Sequence, residues 1–126
     1  MADHRHSRFA GEGKPRLLNM QDSLSSQGLA VDPVPMTAGE EVTVLYQGLL
    51  ANSGADQVWL HTGYGTDDDW QQIYDYPMER TARGWVKVFK LQDESRLHFC
   101  FKDSASNWDN NNGTNWSFEI HNGAQI

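Results

Sequence analysis

Val42-Thr43-Val44-Leu45-Tyr46-Gln47 decides the fold. Val42, Val44 and Tyr46 alternate with Thr43, Leu45 and Gln47, the period of two expected of a β-strand whose two faces meet different surroundings. Downstream, residues 57–61, 84–91, 96–102 and 115–120 repeat the pattern as short runs of strand-forming residues. Stretches of Gly, Asn, Asp and Ser separate them, and these residues favour turns. Many short strands, with no amphipathic helical window of useful length, predict an all-β antiparallel sandwich, with a barrel as the alternative.

Upstream, residues 31–39 contain Pro33 and Pro35, which lack the backbone donor that a central strand needs. This segment reads as an extended entry or sheet edge. Residues 1–28 are polar, with Gly11, Gly13 and Pro15 and only a faint helical spacing in Leu17, Met20 and Leu24. They read as a flexible leader before a single domain over residues 29–126. His4 and His6 lie in that leader without a third fixed ligand, so no metal is expected there.

The 126 residues carry a net charge of −7, which disfavours nucleic acid and anionic membrane surfaces as partners. No apolar run approaches bilayer length, and the first residues lack the apolar stretch of a secretory signal, so a cytoplasmic location is expected. Cys100 is the lone cysteine, which excludes an internal disulfide. With His98 on the same strand face it is read as a half-buried strand residue and not as an activated nucleophile.

Along residues 57–61, Val58 and Leu60 point one way while Trp59 and His61 point the other. His61 is expected at the strand end, before a loop that runs from Thr62 through Asp67, Asp68 and Asp69 to Trp70. A tryptophan directly after three acids is poorly suited to a core, because the carboxylates must stay hydrated. Trp108 stands in an equally polar run, Ser106-Asn107-Trp108-Asp109-Asn110-Asn111-Asn112-Gly113. Trp85 and Trp116 begin strands with alternating apolar partners and read as core, while Trp59 and Tyr64 stay undecided. An indole is a flat apolar plate that suits the CH-bearing face of a pyranose ring. Asn amides and a neutral imidazole both donate and accept, as vicinal hydroxyls do.

Val58-Trp59-Leu60-His61, Trp70, Pro77-Met78, Gly84-Trp85, Phe101-Lys102, Trp108-Asp109-Asn110-Asn111-Asn112-Gly113 and Asn115-Trp116 occur in an order that resembles carbohydrate-binding module family 25, the starch-binding kind. They are also similar to the starch-binding repeats of plant starch synthases. The resemblance implies an immunoglobulin-like β-sandwich whose ligand face carries His61, Trp70 and Trp108, with the rings set at an angle that follows a curved α-1,4-glucan. Asn110 and Asn111 join the expected carbohydrate-binding residues, although Asp109 and the Asn run are equally suited to closing a tight loop. The expected partner is an α-glucan polysaccharide or malto-oligosaccharide, with no cofactor, no metal and no catalysis. Retention on a polymer would come from many weak contacts or from self-association.

Three rivals stand beside this reading. A glycoside hydrolase would pair Asp67, Asp68 or Asp69 with Asp109 or Glu119. A calcium site would use Asp109, Asn111 and Glu119. A protein-interaction domain would use the exposed tryptophans as anchors.

Overall fold

The computed structural model describes residues 13–122, with side chains from residue 16 onward. Two antiparallel sheets face each other. The first has the strand order β1 (Leu29–Asp32), β3 (Glu41–Tyr46), β7 (Gly84–Lys90), β6 (Glu79–Thr81). The second has the order β10 (Trp116–Phe118), β8 (Leu97–Asp103), β4 (Val58–Thr66), β5 (Asp69–Pro77), and the short β9 (Trp108–Asp109) also pairs with β8. A parallel pair, β2 (Met36–Thr37) with β11 (Ile120–His121), closes one end.

The alternation predicted for β3 sends Val42, Val44 and Tyr46 into the space between the sheets, where they meet Val58, Leu60, Phe99 and Phe101. Trp85 and Trp116 lie in the same core, as expected of them. Tyr46 stacks on Phe101 with ring centroids 3.9 Å apart. Its hydroxyl donates to Asp109 Oδ2 at 2.6 Å and accepts from the Leu50 amide at 3.0 Å. Leu50 belongs to the short helix α2 (Leu49–Asn52). Burial, then the Asp109 carboxylate, push the Tyr46 hydroxyl well above its usual range, so it stays a donor.

Three expectations change. Part of the segment read as a flexible leader is folded: residues Gly13–Asp22 form helix α1. Leu17 and Met20 bury against Ala30, Leu45 and Val86 on the outer face of the first sheet. Arg16 fixes the helix further, donating to Thr43 Oγ1 at 3.1 Å and pairing with Asp32 at 3.3 Å. The faint spacing of Leu17 and Met20 is a real helical face, and tertiary packing supplies what its weak periodicity lacks. His4 and His6 lie outside the described residues. Second, β4 runs on through Gly65, so His61 stands inside the strand and not at its end. Third, Asp69 and Trp70, read as loop, open strand β5, which runs on to Pro77 where no strand was expected and is joined to β4 by a hairpin in which Thr66 pairs with Asp69. Its residues are exposed or half-buried throughout, so it shows no apolar alternation to read.

Candidate functional site

The site lies on the outer face of the second sheet. Facing outward there are Trp59, His61 and Gly63 from β4, His98, Cys100 and Lys102 from β8, and Trp70 and Asp75 from β5, following the pairings His61 with Cys100 and Asp75, and Gly63 with His98. Trp70 and Asp75 are an odd number of residues apart and would face opposite ways on a regular strand. A bulge corrects this: Thr62 pairs with Tyr74 and Tyr64 with Gln71, so two residues of β5, Gln72 and Ile73, stand opposite Gly63 alone. Gln72 takes up the extra residue with a φ of 53°. Such a bulge re-aims side chains, and here it brings both Trp70 and Asp75 to the His61 side.

Trp70 then lies down on the sheet over Gly63. A Cβ at position 63 would stand 2.7 Å from Trp70 Cε3 and 2.8 Å from its Cβ, so the absent side chain makes the seat for the indole. Beside it, the His98 ring stacks on Trp70 at 5.4 Å and 20°. His98 is only 1% exposed, and its Nε2–H donates to the Gly65 carbonyl at 2.7 Å. Its Nδ1 faces the Asp67 carboxylate at 3.3 Å. His98 thereby ties the hairpin that carries Trp70 back to β8.

His61 completes an aromatic cluster. Its ring lies 5.7 Å from Trp70 at 33° and 5.2 Å from Trp108 at 83°. Trp108 sits on β9, reaches across β8 to His61, and remains 46% exposed. Behind His61, Asp75 Oδ1 holds Nδ1 at 2.5 Å, which leaves Nε2 for an incoming group. Asp75 Oδ2 in turn binds Lys102 Nζ at 2.7 Å, and that ammonium lies 5.5 Å from the centre of the Trp108 ring. Burial works to raise the Asp75 carboxyl, but Lys102 and then His61 outweigh it and hold the group below its ordinary range.

The structure brings His61, Trp70 and Trp108 together and places Trp59 on the same face, where it lines a small cleft with Asp75 and Lys102. Tyr64 points into the core. The Asn run closes its own loop: Asn110 Oδ1 accepts from the Gly113 amide at 2.9 Å, and Asn111 Nδ2 donates to the Asn115 carbonyl at 3.1 Å. Asn111 lines a cleft with Ser25 and Trp116 that includes none of His61, Trp70 or Trp108. Asp109 is buried under Tyr46, and Asp67, Asp68 and Asp69 are solvated at the hairpin. Cys100 is buried, and burial pushes its thiol up to about 12, so it is no nucleophile. The site roles of Gly63, Asp75, His98 and Lys102 went unread, because they depend on the bulge and on cross-strand neighbours.

A family model described as a starch/carbohydrate-binding module, family 53, matches residues 42–121, which take in the second sheet, most of the first and every aromatic residue of this face. The chain belongs to that family. Family 53 thus replaces the family 25 suggested by the ordered tryptophan motif, which carried the kind of module and not its number. The chain is 34% identical over 88 residues, 68% of its length, to an alpha-amylase of Clostridium acetobutylicum. It covers only 11% of that relative's length. No solved structure matches the chain.

Proposed function

We propose that the outer face of the second sheet binds α-1,4-linked glucose polymers, starch or glycogen, by stacking glucose rings on Trp70 and Trp108, and that it performs no chemistry on them. The observation that carries this reading is the inclination of the two indoles. Trp70 lies 33° from the His61 ring and Trp108 lies 83° from it, so the indole planes differ by at least the 50° between those angles. Inclined plates suit a glucan that curves, whereas a flat chain asks for coplanar ones. Between them, His61 Nε2 meets a sugar hydroxyl, with its orientation set by Asp75.

Family membership and the likeness to a segment of an alpha-amylase both support an α-glucan as the ligand. The acids weighed for hydrolysis are placed poorly for it, since Asp67, Asp68, Asp69 and Glu119 are exposed to solvent and Asp109 is committed to Tyr46, while Asp75 in the site is held by His61 and Lys102. A shallow face of this kind binds each oligosaccharide weakly and gains retention from many contacts on one polymer.

Native gel electrophoresis through glycogen, amylopectin and a soluble β-glucan tests the proposal. The chain should be retarded by the first two and not the third. Trp70→Ala and Trp108→Ala should each lose about 1–3 kcal/mol of affinity, by analogy with aromatic platforms that stack nucleobases. Equal migration in all three gels would contradict it.

A further inference from the structure

The strands that build the aromatic face have a second side. Thr62, Tyr64, Tyr74 and Tyr76 alternate with the outward residues of β4 and β5 and point between the sheets. Thr62 and Tyr64 are buried, whereas Tyr74, on the edge strand, stays exposed. A cleft of about 440 Å³ opens there, lined by Tyr64, Gln72, Ile73, Tyr74, Tyr76 and Gln92. That volume falls in the range of about 300–1,000 Å³ typical of small-molecule sites.

Three features of the cleft suit a sugar. The Tyr74 ring is 58% exposed, held edge-to-face against Tyr76 at 4.6 Å, so it is a rigid plate open to solvent. Tyr76 is itself fixed from behind by Phe89 at 5.1 Å. At the floor, the buried Tyr64 hydroxyl accepts from the Gln92 amide at 3.0 Å, and among the described residues its own hydrogen has no acceptor. The hydroxyl oxygen is thus engaged while its hydrogen is left to donate to a group in the cleft. Gln92 uses its side-chain nitrogen on the Lys90 carbonyl at 3.1 Å, which leaves its Oε1 to accept. The Gln72 amide, turned by the bulge, makes no side-chain hydrogen bond among the described residues. An aromatic plate, a buried donor and two amides face one space.

We propose that this cleft is a second sugar-contact site, taking a pyranose ring of an α-glucan on the opposite side of β4 and β5 from Trp70. The choice of sugar rests on the reading of the outer face given above. One edge of the sandwich would then hold two glucan segments, so that a single chain bridges neighbouring branches of a polymer.

A proton NMR titration with maltotriose separates the two sites, because each has its own side-chain reporters. The Trp70 and Trp108 indole N–H signals report the outer face, and the Tyr74 ring with the Gln72 and Gln92 side-chain amides reports the cleft. The expected result is that both sets shift and saturate. The cleft set should persist in the Trp70→Ala/Trp108→Ala double variant. Tyr74→Ala should weaken the cleft at least tenfold and leave the indole shifts unchanged. Shifting indoles with a silent cleft would overturn the second site alone. A responding cleft with silent indoles would sink the outer-face reading and keep the cleft, and silence in both would sink both. Sugar-free dimerisation in sedimentation that Tyr74→Ala abolishes would assign the patch to a second copy of the chain and overturn the proposal.

Discussion

Gly63 decides where the Trp70 indole can lie. Glycine in a strand weakens the strand, and its use beside a large ring marks a close approach that a side chain would block. Gly63→Ala should lift Trp70 off the sheet, since the added methyl would stand 2.7 Å from the ring and 2.8 Å from a Cβ that cannot swing away. The expected outcome is an unchanged far-ultraviolet circular dichroism spectrum with roughly tenfold weaker maltoheptaose binding, equivalent to about 1.4 kcal/mol. At this scale the sequence was partly readable. Trp70 and Trp108 announce themselves because carboxylates and amides surround them and forbid a core. Gly63 does not, because a glycine between Thr62 and Tyr64 reads as a turn until the strand pairing is known. Asn110 and Asn111 show the reverse case. Their amides suit sugar hydroxyls and loop closure equally, and their side-chain bonds in the structure are to the loop itself.

Among the elements, β5 contributes most to the site and was the hardest to read. It is an edge strand whose residues are all exposed or half-buried, so hydrophobic alternation cannot reveal it, and its bulge shifts the parity between Trp70 and Asp75. Asp75 couples the elements, holding His61 on β4 and Lys102 on β8 at once. Asp75→Asn should therefore loosen His61 and weaken glucan binding several-fold. Because Lys102 and His61 hold the carboxyl below its ordinary value of 3.8, its contribution to stability is fully present above that value and is lost as pH falls through the lower folded one. Thermal melting of the two proteins should show a constant gap from neutral pH down to about 4, closing in more acidic buffer. A gap that opens only on acidification would contradict the assigned sign. Helix α1 had a trace in the sequence as well. Leu45 and Val86 pair in register and are apolar on the face of the first sheet that would otherwise meet water, and α1 is what covers them.

Across the whole molecule, Tyr46 joins the two sheets to the loop that presents Trp108. Its ring stacks on Phe101 of the opposite sheet, and its hydroxyl holds Asp109, the neighbour of Trp108. Tyr46→Phe would leave a buried carboxylate short of a donor and the Leu50 amide short of an acceptor, at a cost of about 1–3 kcal/mol. Urea unfolding should report that loss as a lower midpoint with unchanged slope. The sandwich was legible because its inner strands keep a period of two, while the closing pair β2 and β11 is too short to carry a pattern. On that scaffold the central claim is that two inclined indoles, Trp108 exposed and Trp70 half-buried, dock a curved glucan. Titration with maltoheptaose, followed by tryptophan emission, tests it most directly. A saturable change in the wild type that is weakened about fivefold or more in Trp70→Ala and again in Trp108→Ala is the predicted result; emission indifferent to millimolar sugar, or variants that bind as the wild type does, would contradict it.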